Sequence, residues 1–158
     1  MNSLKIWTGT LFGAGLLPYG PGTWGSLASL PLIYLTALYF PVYGIYVLLA
    51  GTIALSLWAA PASEKLYGED PPQFVMDEAA GQTLTFLIVN FHYSFSQDIV
   101  ILAAGFILFR IFDILKPLGI NKLQKLKGKY GVLLDDLLAG FYALIILEIL
   151  HRILPSLF

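Results

Sequence analysis

Apolar residues run almost unbroken through this chain, and the run is interrupted mainly by prolines, glycines and small groups of charges. No charged residue occurs between Lys5 and Glu64. Crossing the roughly 30 Å hydrocarbon core of a bilayer takes about 20 apolar residues in a helix. Residues 27–40 give a first segment, somewhat short and ended by Pro41, and residues 42–60 a fuller second one, stopped by Pro61. Residues 79–93 give a third, residues 99–115 a fourth that ends in charges and Pro117, and residues 137–154 a fifth. The pattern predicts an all-α integral membrane bundle of four or five spans, a single domain over residues 1–158, in which the first segment either crosses or re-enters. Residues 7–25 hold six glycines and two prolines and predict a loop or broken helix ahead of the spans. A secretory signal would be a short apolar run with a cleavage site and then a soluble domain. Here the apolar character continues, so no removed leader is expected.

Composition agrees with this pattern. The 158 residues are 58% hydrophobic and 12% charged, against about 45–50% and about 25% in soluble domains. A net charge of −1 argues against nucleic-acid binding. Cysteine is absent, which excludes disulfides, thiolate metal sites and Cys nucleophiles. Only two histidines exist, His92 and His151. Any chemistry falls to carboxylates, hydroxyls, Lys and Arg.

Lysine and arginine orient membrane helices, with the basic connections inside. Six of the nine basic residues lie between Arg110 and Lys129, so the connection between segments four and five is expected to face the cytoplasm. Residues 122–129 read as a short amphipathic helix on the anionic inner leaflet. The same layout brings Asp77 and Glu78 to the cytoplasmic start of segment three and Asp135 and Asp136 to that of segment five. Arg110 and Asp113, three apart and so on one helical face, fall near the cytoplasmic end of segment four. Each pair alone has a plain reading, as helix caps or an intrahelical ion pair. Their convergence at one level points to a site, because ionisable groups at such depth are costly. Glu78 and Asp136 are the members expected to point inward.

Five carboxylates without thiols suit a hard cation, and Mg²⁺ takes oxygen ligands together with substrate phosphate. The run Pro21-Gly22-Thr23-Trp24-Gly25-Ser26 suits the phosphate, since glycines admit close backbone approach and amides at a helix start point at an anion. His92 and His151 fall on the far side and are expected to be interfacial residues. A transporter would place its acids near mid-bilayer and on both halves of a repeat, and no repeat is visible.

Four runs occur in order: Gly13-Ala14-Gly15-Leu16-Leu17-Pro18 leading to Pro21-Gly22-Thr23-Trp24-Gly25-Ser26-Leu27, then Asp77-Glu78-Ala79-Ala80-Gly81-Gln82, then Phe109-Arg110-Ile111-Phe112-Asp113-Ile114-Leu115-Lys116-Pro117, and Asp135-Asp136-Leu137-Leu138-Ala139-Gly140. Together they resemble the bacterial phosphatidylglycerophosphatase A family. The resemblance implies hydrolysis of phosphatidylglycerophosphate to phosphatidylglycerol and phosphate, dependence on Mg²⁺, and residence in the bacterial cytoplasmic membrane with the site facing the cytoplasm. It implies Asp77, Glu78, Asp113, Asp135 and Asp136 as acidic site and metal-holding residues, with Arg110 and Lys116 beside them. Gly20, Gly119 and the pair Lys129-Tyr130 depart from the family pattern, all in loops. On this reading Glu78 or Asp113 is the general base, Arg110 offsets phosphoryl charge, and Lys116 with Gly22, Thr23, Gly25 and Ser26 holds phosphate. A covalent aspartyl-phosphate route competes with direct hydrolysis. Another lipid phosphate as substrate, or a small transporter subunit with buried acids, are the alternative functions.

Overall fold

The computed structural model describes residues 2–92, 94–124 and 128–154. Among them the secondary structure is all helical: α1 (Asn2–Gly9), a 3₁₀ turn (Ala14–Leu16), α2 (Pro21–Tyr39), α3 (Gly44–Tyr67), α4 (Met76–Thr85), α5 (Phe95–Leu115), α6 (Ile120–Gln124) and α7 (Lys129–Ile153). The fold class expected from the sequence is thus all-α as observed. Among the described residues, one helix, α3, is long and apolar enough to cross a membrane by length and composition.

Several boundaries differ from the sequence reading. The glycine-rich run from Pro21 is no loop: Gly20, in the left-handed region at φ +73°, caps α2, and Pro21 is in its first turn. Proline is favoured there because its missing N–H has no helical acceptor to serve. The α3 helix passes through Pro61 and ends at Tyr67. The third apolar segment, expected over residues 79–93, is helical only to Thr85. Its ten residues rise about 15 Å, half of a hydrocarbon core. The Phe86 amide bonds Thr83 O at 3.1 Å, tightening the final turn, and the Ile88-Val89 pair that follows is β-branched and resists helical χ1. Tyr93 and residues 125–127 of the basic run lie outside the described residues. Helix α7 starts well before residue 137, so Asp135 and Asp136 lie inside it, beyond its first turn.

Helix α4 is the hub. It packs against α2, α3 and α7, while α1 packs on α3 and α5 and α6 on α7. Small residues permit this. A Cβ on Gly140 would run into the Gly81 carbonyl, and one on Gly81 would meet Asp136 O at 2.5 Å, so the α4 and α7 backbones touch. Buried hydroxyls bond their own helices: Thr83 to Ala79 O at 2.7 Å, Thr85 to Gly81 O at 3.1 Å, Thr52 to Leu48 O at 3.0 Å. Such back-bonding satisfies a polar group without a second helix. The interior mixes an apolar core, with Ile33, Phe86, Ile101, Phe109 and Leu147, and buried polar residues, Ser26, Ser56, Ser63 and Gln82, whereas Leu32, Leu35, Val47, Ile107, Ile145 and Ile149 are exposed.

Candidate active site

Four helices deliver polar side chains to one end of the bundle. The start of α2 brings Gly22 and Ser26. The first turn of α4 brings Asp77 and Glu78. Near the C-terminal end of α5 lie Arg110 and Asp113, with Lys116 as its cap residue, and α7 brings Asp135 and Asp136. A cleft of about 80 Å³ is lined by Asp77, Glu78, Asp113, Lys116, Asp135 and Asp136, together with Asp70 and neighbouring residues.

The five carboxylates divide into three classes of environment. Asp77, Glu78 and Asp136 each turn a carboxylate oxygen to a common point, all within 4.8 Å of one another. Asp113 instead takes the Arg110 guanidinium, Nη1 to Oδ2 at 2.7 Å, one helical turn apart as the spacing predicts. Asp135 takes the Lys116 ammonium. Lys116 stands in the left-handed region at φ +45°, which is uncommon for a residue with a Cβ; it turns the chain where the ammonium meets α7.

Arg110 links the acidic cluster to α2. Its Nη1 also donates to Ser26 Oγ at 3.3 Å, and Ser26 donates in turn to Gly22 O at 2.8 Å. Gly22 is hydrogen-bearing by necessity, because a Cβ there would collide with Glu78 Oε1 and stand 3.2 Å from Arg110 Nη1. Gly25 has a packing reason: a Cβ would meet Val75 Cβ at 2.5 Å. Thr23 lies beside Arg110 on the outer wall, where both line an apolar depression.

The electrostatics follow from burial. Asp77 and Asp136 are buried and Glu78 is partly so, and like charges crowded in this way favour a cation among them. At Lys116 burial pulls the ammonium down, but the Asp135 hydrogen bond and charge outweigh it and the net direction is upward. Glu78 Oε2 and Asp135 Oδ1 are buried with no hydrogen-bond partner. Clustered buried carboxylates with unused oxygens, and no thiol or imidazole among them, match the donor set of a hard divalent cation. The residues present therefore fit Mg²⁺ chemically.

Gln82 was not singled out as a site residue by the sequence reading. It is fully buried, one turn below Glu78 on the same face of α4, and neither amide atom has a partner. Its place in the Asp77–Gln82 run was the only signal available. The histidines lie elsewhere. His92 and His151 stack edge to face with centroids 5.5 Å apart, near the start of α5. There the buried Asp98 accepts from His92 N at 2.7 Å and Tyr34 OH at 3.0 Å. Four turns of α5, about 22 Å, separate Asp98 from Asp113.

A family model described as phosphatidylglycerophosphatase A matches residues 7–151. A Bacteroides thetaiotaomicron protein named putative phosphatidylinositol-3-phosphatase is 40% identical over 152 residues, 92% of each chain. The phosphatidylglycerophosphatase A proteins of Escherichia coli and Haemophilus influenzae are each 36% identical, covering 82% and 85% of this chain and 73% and 81% of their own. No solved structure matches this chain. With the match running over all four helices that build the acidic cluster, the chain belongs to the phosphatidylglycerophosphatase A family and is an enzyme, a phosphatase.

Proposed function

We propose that this chain hydrolyses the phosphate monoester of phosphatidylglycerophosphate, giving phosphatidylglycerol and inorganic phosphate, with Mg²⁺ as cofactor. The observation that carries this reading is the meeting of the Asp77, Glu78 and Asp136 carboxylates within 4.8 Å, flanked by Arg110 and Lys116. Asp77, Asp136 and one Glu78 oxygen would hold the ion. When bound, Mg²⁺ supplies charge neutralisation and polarisation of the phosphoryl oxygens. In the hydrolysis a water oxygen forms a bond to phosphorus as the bond to the lipid oxygen breaks. Glu78, whose Oε2 is buried without a partner, is the group assigned to take the proton of the attacking water and return it to the departing lipid oxygen, which leaves as the alcohol. Asp113 holds the Arg110 guanidinium, whose planar fork matches two phosphoryl oxygens. Lys116, shared with Asp135, adds a second positive charge.

The reading places the protein as a multi-pass component of the bacterial inner membrane with this site at the cytoplasmic face. In support, α2, α3, α5 and α7 are 19, 24, 21 and 25 residues long, about 28–38 Å at 1.5 Å per residue. Their exposed faces carry large apolar residues. Arg110 and Lys116 stand at the site end, where basic residues favour the inside. Helix α4 starts at that end and α5 starts at the other, so the crossing is helical over Met76–Thr85 and continues as non-helical backbone over residues 86–92. Non-helical backbone at membrane depth is tolerated where protein surrounds it, and Phe86 and Phe91 are buried.

A second substrate is favoured by one observation, the 40% identical relative named as a putative phosphatidylinositol-3-phosphatase. The test is phosphate release by the purified protein from phosphatidylglycerophosphate and phosphatidylinositol 3-phosphate in parallel, with Mg²⁺ or EDTA. Mg²⁺-dependent release preferring the glycerophosphate headgroup is expected. Preference for the inositol headgroup would reassign the substrate, and EDTA-resistant release would overturn the cofactor.

A further inference from the structure

We propose that an acyl chain of the substrate lipid lies in the groove between α2 and α5, entering the site sideways past Thr23 and Arg110. This rests on the lipid-phosphate reading above and adds where the lipid's apolar part binds. The groove has two parts. One, of about 670 Å³, is formed by Leu30, Pro31 and Leu35 of α2 with Ile99, Ala103 and Phe106 of α5. The other, of about 400 Å³, runs from Phe106 and Ile107 past Arg110, opposite Thr23, to Ile114 and Leu115. Phe106 lines both, so they adjoin along α5.

The residues follow helical periodicity. On α5 the stripe runs through positions 95, 99, 103, 106 and 110, and on α2 through 23, 27, 30 and 34, a single face of each helix. Each stripe is largely apolar and carries a polar residue toward the site end, Arg110 on α5 and Thr23 on α2. Arg110 thus lines the groove and is also a neighbour of the acidic cluster, against Asp113 and Ser26. At the other end the groove is closed by Tyr34, which packs edge to face on Phe95 with centroids 6.4 Å apart and bonds the buried Asp98. From Arg110 to Phe95 is about four turns, or about 22 Å. One leaflet occupies about half of the roughly 30 Å core, so the groove accommodates a chain that stays within its own leaflet. An ordinary lipid without a phosphate monoester would fit the apolar wall equally well. The continuity with Arg110 is what commits the groove to the substrate.

Ala103 lines the middle of the groove and is exposed, so Ala103→Trp fills it without touching the core. The measurement is kcat/KM for long-chain and for dihexanoyl forms of the same lipid phosphate in mixed micelles. Ala103→Trp is expected to lower the long-chain to short-chain ratio about tenfold, while Ile149→Trp, on the exposed face of α7, leaves it at the wild-type value. An unchanged ratio in Ala103→Trp overturns the groove alone. A wild type that cleaves neither lipid form overturns the substrate reading itself, and the groove with it. Should Ala103→Trp not fold, photo-crosslinking of the wild type decides. A substrate analogue carrying a diazirine on its acyl chain is expected to label Leu30 or Phe106, and to persist under excess phosphatidylethanolamine. Labelling on α7, or loss under that competitor, assigns the groove to bulk lipid and contradicts the proposal.

Discussion

Three carboxylates within 4.8 Å, Asp77 and Asp136 buried and Glu78 partly so, repel one another, and like charges held so close favour protonation or a cation between them. Replacing one by its amide removes the repulsion while keeping shape. Asp136→Asn is therefore expected to lower phosphate release at least about a hundredfold, and to raise the melting temperature in EDTA. A melting temperature that falls would mean that the carboxylate is structural. Arg110→Lys keeps the charge but loses the fork; a drop in kcat with the fold intact by circular dichroism is the expected outcome. Gln82 holds two unpartnered amide atoms in the interior. An unsatisfied buried group costs about 1–3 kcal/mol, so Gln82→Leu is expected to stabilise the protein by about 1 kcal/mol and to reduce activity. Unchanged activity would leave Gln82 with a packing role only. The acids and Arg110 were legible in the sequence because charges in so apolar a chain stand out. Their division was not, since whether Asp113 meets Arg110 or the cluster depends on helix rotation and rotamer. Gln82, neutral and short of any charge pattern, gave no comparable signal.

At the scale of the elements, close approach sets the site. Gly22 leaves no room for a Cβ beside the Glu78 carboxylate, and Gly140 none beside the Gly81 carbonyl, so α2 closes on an α4 side chain and α7 on the α4 backbone. A methyl at Gly140 has only backbone to displace, and overpacking of this kind costs about 1–3 kcal/mol. Gly140→Ala is expected to lower stability by that amount in a denaturation series, with activity lost in proportion to folded protein. Gly22→Ala presses instead on the Glu78 side chain, and is expected to lower kcat with a smaller loss of stability. The long helices were readable from apolar runs bounded by prolines, although α3 overruns Pro61 and α2 begins at the glycines. The end of α4 at Thr85 was not readable. Apolar residues continue through Val89 with no proline or charge to mark a stop, while Phe86 and Phe91 turn into the core beyond the helix end.

For the molecule as a whole, the acidic cluster lies at one end, an apolar core with buried polar groups lies inside, and large apolar side chains cover the outside. Such a body is stable only if its buried charges are neutralised. Mg²⁺ added to the EDTA-treated protein is expected to raise its melting temperature, because it binds the carboxylates that only the folded state brings together. An unchanged melting temperature would leave the cluster without a cation. The central claim is that Asp77, Glu78 and Asp136 form a divalent-cation site that serves phosphate-ester hydrolysis. Mn²⁺, read by electron paramagnetic resonance as a stand-in for Mg²⁺, tests it most directly in the wild type, Asp136→Asn and Asp98→Asn. The account predicts saturable binding in the wild type and in Asp98→Asn, displaced by Mg²⁺, and its loss in Asp136→Asn. Equal binding by folded Asp136→Asn would contradict it.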